Sequence, residues 1–535
     1  MSFSIRFRCL KAGLLSLAFL VSLTVRLPAQ TYTLTNAANT AWGISNNWSP
    51  NGIPNGIGVV ATITNSISSL TNTSQNIASG GAYPYVFGTL NCNLPTAVGV
   101  GATTANDQIK AAVATGVPII NVVSGGYPFF GGVMSGSQGF IKTGPGNFTF
   151  RYNSMAQPYA GTVTIAAGTL ELQQDSSLGN STNVVIICTN AILSSRPSIN
   201  NQTLLLPGTR RLILNAAGGA AQLGTYNGTF TNIVQGVISE SGSESGLTIT
   251  GAGTVELDGV NTYTGPTTIA SGTLRMDDAG QLGSGAYAAS ITNNGRFVYN
   301  SSANQTLSGV IAGTGSLTLG GSGTLTLSGA NTYAGATTIN SGTLALGLGG
   351  SLAASSSLIL AAGATFDISG LGASATYSLG GSASLTANGN SADAIIQGGA
   401  NGTVNLGTRP INLNYDSSNP PLTISQGTLS LSGQTITVND PYPLPSGTYN
   451  LIQVNSGKII HSGSYTLAGN ATNGATGGTL GFTTNAGIAY VTLAVTGSTN
   501  FLAVGSGLRG DYFNSLGFTN LVASKPDGPI NFHWG

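Results

Sequence analysis

The sequence predicts an all-β solenoid, a chain wound into a β-helix, and three observations carry that prediction. First, GAGTVELDGVNTYTGPTTIASGTLRM (251–276) and GSGTLTLSGANTYAGATTINSGTLAL (321–346) agree at 16 of 26 positions without a gap. Self-similarity of this kind reports stacked units rather than one closed globule. Second, charged residues make up only 6% of the 535, while glycine contributes 79, about twice its usual share. Third, the 41% of hydrophobic residues is arranged in alternation, which distinguishes a packed β structure from a disordered linker.

Residues 1–29 read differently from the rest. Arg6, Arg8 and Lys11 precede the apolar run AGLLSLAFLVSLTV, and LPA (27–29) offers a small residue for cleavage. The run has the length of a signal-peptide core and is short for a membrane span, so the expectation is export followed by removal of 1–29, with an uncleaved N-terminal anchor as the alternative. Of 16 basic and 15 acidic residues, four basic ones (Arg6, Arg8, Lys11 and Arg26) fall in this leader, leaving 12 against 15. So weak a charge over so long a chain gives no field for nucleic acid. After the leader's Cys9, only Cys92 and Cys188 remain. An oxidising compartment allows a bond between them, but two thiols so far apart make no disulfide framework, and buried free cysteines are expected ahead of it.

Within the repeat, Thr324-Leu325-Thr326-Leu327 alternates, placing its leucines in a core and its threonines toward water. Ser328-Gly329-Ala330-Asn331 reads as a turn in which Gly and Asn take positive φ. Strands follow at Thr337-Thr338-Ile339 and, after Asn340-Ser341-Gly342, at Thr343-Leu344-Ala345-Leu346. Three short strands separated by corners describe one coil of a β-helix, which must stack on its neighbours to bury an apolar face. A weaker copy spans 144–172, keeping Tyr159, Gly161 and the Gly-Thr-Leu of the last strand, and LTISQGTLSL (422–431) is a shorter echo. Related lead-ins, GGVMSGSQGF, QGVISESGSE and SGVIAGTGSL, precede the three longer copies. Intervening stretches such as SLILAAGATFDISG (357–370) are equally strand-like, so the solenoid is expected to run on through them.

The phrase G-x-G-T-L-T-L-S-G-x-N-T-Y-x-G-x-T-T-I-x-x-G-T-L resembles the autotransporter-associated β-strand repeat, also called the passenger-associated transport repeat. AWGISNNWSPNGIPN (41–55) looks like the usual mature N-terminus of proteins that carry it. The resemblance implies a right-handed parallel β-helix and a secreted bacterial surface passenger. No membrane barrel is seen at the end of this chain, so self-transport is not implied. The expected organisation is a cap with first coils over 30–130 and repeat-bearing β-helix over 131–505. About 20 coils of roughly 22 residues, stacked at ~4.8 Å, make a rod on the order of 100 Å long.

From 507 to 535 the language changes. Gly507, Leu508, Gly510, Tyr512 and Phe513, then Asp527, Ile530, Asn531, Phe532, Trp534 and Gly535, resemble the opening phrases of the anthrax-protective-antigen-type (PA-fourteen) domain. That family is a β-sandwich that often binds carbohydrate, and its calcium-binding aspartates fall downstream of this segment. The expectation is therefore an incomplete sandwich segment in a fragment of a longer protein, with extracellular polysaccharide or glycans as partners of the complete domain.

Candidate sites are few. Glu256 and Asp258 share a strand face at i and i+2, but the second copy has Thr326 and Ser328 there, so a solvent-facing polar pair is expected. Asp277-Asp278 lacks the six to eight oxygens calcium wants and reads as a turn. His461 has no acid or cysteine at ligand spacing, and His533 belongs to the sandwich phrase. GLGG (347–350) is a turn, because no helix follows to bind phosphate. Arg509-Gly510-Asp511 spells an attachment tripeptide, yet the sandwich phrase already accounts for it, and Asn47-Trp48-Ser49 is a chance acceptor triplet. No catalytic, cofactor or metal residue is assigned. The leading expectation is a secreted structural or adhesive stalk that holds downstream modules away from the cell. A carbohydrate-binding or carbohydrate-degrading surface protein, active beyond Gly535, is the alternative, and an enzyme on the β-helix itself ranks third.

Overall fold

A computed structural model describes residues 30–35, 46, 48–52, 56–63, 85–93, 97–100, 108–113, 116–130, 133–150, 158–196, 203–380, 383–389, 392–416, 419–497, 508–513 and 521–527. The leader and His533 lie outside them. The described chain is a parallel β-helix: strands of two to eight residues pair in parallel with strands one coil earlier and later, generally 19 to 31 residues away. Alternating sequences such as Thr324–Leu327 make this possible, because one face of each strand is apolar and the other accepts water.

Each coil has three sides. On the first, one sheet runs from Thr31–Leu34 to Ile238–Glu240 and a second from Ala286–Tyr287 to Gly447–Val454. The second side carries Ala97–Val100 to Ile311–Ala312, then Thr376–Ser378 to Ile459–His461. The third carries Tyr85–Phe87, Gln108–Ala111 and Val133–Ser135, then Thr203–Leu206 to Thr466–Ala468. Along the first side there are nine parallel strands, a corner at Tyr263 and eight more strands. Eighteen rungs at ~4.8 Å span roughly 85 Å, close to the expected length.

The interior is a set of ladders of like residues. Leu325, Leu344, Phe366, Ile396, Ile424 and Val454 stack as successive register partners, all completely buried. Burying each such side chain contributes about 1.5–3 kcal/mol.

The repeat does not sit in one coil as its sequence suggests. Thr324–Leu327 pairs directly with Thr343–Leu346, and Thr254–Leu257 with Thr273–Met276, so the first and last strands of each phrase are successive rungs of one sheet. The phrase is therefore one full turn plus one strand, because its 19-residue offset equals a coil. Gly329 and Asn331 likewise depart from the expected positive φ. Gly329 is required by proximity instead: a Cβ there would lie 2.4 Å from the Gly309 carbonyl oxygen of the rung below. Gly342 does turn the corner in the left-handed region, at φ +70°.

Both ends of the first side are closed by antiparallel strands. Trp48–Ser49 runs antiparallel to Thr31–Leu34, with Trp48 buried against the first rungs. At the far end the last parallel strand is Thr466–Ala468, and Ile488–Thr496 pairs antiparallel with Gly447–Val454 and with Gly477–Asn485. The hairpin turns at Ala486-Gly487, both at positive φ, as a two-residue turn between twisted strands requires. Beyond it, Leu508–Phe513 and Leu521–Asp527 form an antiparallel pair of their own.

Leu325→Asp places a carboxylate in the ladder, which costs several kcal/mol or forces protonation. Coils support only their neighbours. Limited proteolysis should therefore cut first near residues 300–350, with coils before 200 and after 420 initially protected.

Candidate functional site

The repeat's distinctive residues build a corner, and each corner interrupts one side. Tyr159 falls between the two sheets of the third side, Tyr263 between those of the first, and Tyr333 between those of the second. Successive copies are thus turned by one side relative to each other. At the corner the strand ladder lapses, so backbone groups need other partners. Asn331 supplies them: its Oδ1 accepts from the Ile311 N–H one rung below (2.8 Å), and its Nδ2 donates to the Ser351 carbonyl one rung above (3.2 Å). Asn261 does the same between the Ile238 N–H (3.0 Å) and the Gln281 carbonyl (3.1 Å). Both asparagines are buried, and neither takes positive φ.

The tyrosines are buried too, and each keeps its hydroxyl paired. Tyr333 bonds Thr337 Oγ1 at 2.7 Å, which in turn bonds Ser355 Oγ at 2.9 Å. Tyr263, Thr267 and Tyr287 form the matching chain, at 2.8 Å for each link. Burial pushes the Tyr263 and Tyr333 phenols well above their ordinary values, so they remain neutral donors. In the weaker copy Val163 replaces the threonine, and Tyr159 donates instead to the Ser177 carbonyl at 2.9 Å. There a fully buried Arg210 completes the corner, paired with Asp175 and donating to the Asn183 carbonyl at 3.2 Å.

The acidic pair singled out by the sequence is not the exposed pair expected. Glu256 is buried on the outer face, because Arg275, its register partner one rung on, lies over it with Nε 2.7 Å from its carboxylate. Arg275 also reaches Asp277 at 3.3 Å, and Asn300 on the following rung donates to Asp277 at 2.8 Å. Partial burial, then the neighbouring charges of Glu256, Asp278 and Asp277, raise the Asp258 carboxyl to about 6. Asp277-Asp278 forms the expected turn, with Asp278 at φ +48°. The arrangement shares one guanidinium between carboxylates on neighbouring rungs and offsets part of their charge.

A second outer cluster went unnoticed in the sequence. Phe129, Thr149, Glu171 and Ser194 are register partners on the second side. Glu171 is only 4% exposed and accepts from the Tyr127 hydroxyl, from Thr149 Oγ1 at 2.8 Å and from Arg196 at 3.4 Å. The Arg196 guanidinium lies 4.1 Å from the ring centre of Tyr226 and 5.2 Å from that of Tyr127. In the other two copies the Glu171 position is Arg275 and Ala345. That variation within the Gly-Thr-Leu strand common to the three copies was a signal the sequence offered.

The remaining flagged residues stay apart. Cys92 and Cys188 are free, the first buried as expected and the second only half-buried; burial pushes the Cys92 thiol up to about 12. Lys142, buried beside Cys92, donates to the carbonyls of Thr143, Gly144 and Ala167 at 2.8–2.9 Å, and burial lowers its ammonium to about 8. His461 stacks flat on Phe482 at 3.7 Å, tying the last coil to the closing hairpin. Arg509-Gly510-Asp511 lies within a strand rather than on a loop tip. Trp48 of the acceptor triplet is buried. Among the described residues no three His, Cys, Asp or Glu side chains gather as metal ligands, and no helix is long and apolar enough to cross a membrane.

Three segments match the passenger-associated-transport-repeat family: residues 140–172, 247–276 and 317–346. Each match begins one strand before the phrase read from the sequence, at Phe140–Thr143, Gly246–Thr250 and Ser316–Leu319. A matched segment is thus two strands, the tyrosine corner and two strands stacked on the first two. The chain is also 33% identical over 156 residues to the adhesin BmaC autotransporter of Brucella suis biovar 1 (strain 1330). That alignment covers 29% of this chain and 4% of the adhesin's length.

Asn331→Ala leaves the Ile311 N–H and the Ser351 carbonyl without partners, a loss of about 1–3 kcal/mol. Amide exchange at Ile311 should accelerate by about tenfold or more while Leu204 and Leu413 keep their protection. Asp258 gives a pH signature. Its carboxyl is raised from 3.8 to about 6, so the folded state holds the proton more tightly than the unfolded one. Stability is therefore fully present below about pH 4 and declines as pH rises to 6. Asp258→Asn should raise the melting temperature at pH 8, by no more than about 1 kcal/mol equivalent given solvent screening, and leave it unchanged at pH 3.5.

Proposed function

We propose that this chain is an extracellular passenger stalk with an adhesive role, a non-enzymatic rod that holds other modules away from a bacterial surface. The single observation that carries the reading is the placement of three passenger repeats as corners in one continuous stack of eighteen rungs. The adhesin similarity supports the adhesive part. The buried, charge-paired state of Glu256 argues against acid–base chemistry on the repeat.

On the same reading residues 1–29 are an export signal, 30–130 the cap and first coils, 131–505 the repeat-bearing region, and 507–535 the opening of a protective-antigen-type sandwich. The antiparallel pairing of Leu508–Phe513 with Leu521–Asp527 favours the last assignment, and glycans are the partners it suggests for that module.

A stalk tolerates changes in coil number, whereas an enzyme cleft does not. Ile411 stacks directly on Ile436, so deleting 411–435 removes one coil in register. The shortened rod should fold, lose roughly one 4.8 Å rung by small-angle scattering, and support adhesion of displaying cells to a host-cell layer as the parent does. Loss of adhesion by a folded, shortened rod would overturn the stalk reading.

A further inference from the structure

We propose that the outer surface around Tyr226 is a glycan-binding site, in which the apolar face of a neutral pyranose ring lies on the tyrosine and Arg196 donates to its hydroxyls. The tyrosine is 53% exposed, whereas Tyr159, Tyr263, Tyr287, Tyr299 and Tyr333 are drawn into the core and Tyr442 is the other exposed large aromatic among the described residues. It is not held there by hydrophobic burial. Its ring is set in place by the Arg196 guanidinium, stacked 4.1 Å from the ring centre, while Phe230 lies beside it at 6.3 Å with the planes tilted by 30°.

The support beneath is built and fixed. Glu171, almost fully buried, gathers the Tyr127 hydroxyl, Thr149 and Arg196 on one carboxylate, so Arg196 cannot swing away without leaving a buried charge unpaired. The Tyr226 N–H donates to the Ser195 carbonyl at 3.0 Å, which continues the coil's register into the loop. Asn227 Oδ1 then accepts from the N–H and hydroxyl of Thr229 at 3.0 and 2.8 Å. A rigid aromatic ring loses little entropy on binding.

The ligand class follows from the chemistry. The guanidinium carries five donors, of which Glu171 takes one at 3.4 Å, so N–H groups remain for hydroxyl oxygens. Charge at the patch is offset by the Glu171 carboxylate, which favours a neutral sugar over an acidic one. An axial-hydrogen face on an aromatic ring with equatorial hydroxyls at its rim matches that pattern. A flat apolar partner would find only one exposed ring and its neighbour, and nucleic acid would find no field.

This proposal takes its biological setting from the adhesive reading, but its test needs only the purified chain. Binding of residues 30–535 to cellohexaose, laminarihexaose, chitohexaose and hexagalacturonate would be measured by calorimetry. At least one neutral hexasaccharide should bind. Tyr226→Ala should weaken it by about tenfold or more and Tyr226→Phe by less than about threefold, since the ring and not the hydroxyl makes the contact. Leu348→Ala, at an exposed apolar position elsewhere, should leave binding unchanged. Circular dichroism that matches the parent would show that Tyr226→Ala still folds; if it does not, Tyr226→Ser and Thr229→Ala in the intact loop take its place. Failure of every neutral probe, binding of the polyuronate alone, or equal affinity in folded Tyr226→Ala would overturn the proposal. None of these results depends on coil number, so the stalk reading stands or falls separately.

Discussion

Rung-to-rung backbone pairing in fixed register is the constraint on which the rest of this structure depends. Strands between two coils donate to and accept from both the coil before and the coil after, so an inward residue lands on an inward residue for as long as coils keep their register. The ladder from Leu325 through Phe366 to Val454 is the consequence. Coils vary in length from 19 to 31 residues, yet the variation is absorbed at corners and the strands stay aligned. A slip of one residue would turn every leucine outward and every threonine inward, which is why the register is so strongly specified.

Corners are where that pairing fails, and the polar residues of the interior are concentrated there for this reason. Asn261 and Asn331 act as side-chain substitutes for a missing strand, accepting from one coil and donating to another. Gln305 repairs a similar gap around Leu282. The corner of the first copy uses Arg210 and Asp175 where the later copies use a neutral tyrosine–threonine pair. Two chemistries fill the same need, since a buried charge is tolerable only when paired and hydrogen-bonded. Because each copy interrupts a different side, no side carries two of these lapses.

The outer surface follows other rules. Coil stacking places outward residues in rows at strand spacing, so opposite charges on neighbouring rungs meet without any sequence proximity. Glu256 beneath Arg275 and Glu171 beneath Arg196 both arise this way. In the first, Arg275 is shared between Glu256 and Asp277, and the surface around it stays acidic. The second orients two aromatic rings and leaves one of them open to solvent.

Alternation, glycine and the repeated phrase determined by themselves that this chain would be a β-helix, where its strands lie and which leucines are inside. Those are local properties: a period of two and a corner residue act over a few positions. Tertiary structure alone decided what stacks on what. The nineteen-residue offset that sets Thr254 under Thr273 equals one coil only once the corners have their actual lengths. From that offset come the burial of Glu256, the sideways turn of successive repeats and the role of Asn331, which looks like a turn residue in sequence and serves as a bridge in space. The cluster of Tyr127, Glu171, Arg196 and Tyr226 was least legible, because its members come from four different coils and only the rung spacing brings them within hydrogen-bonding and stacking reach.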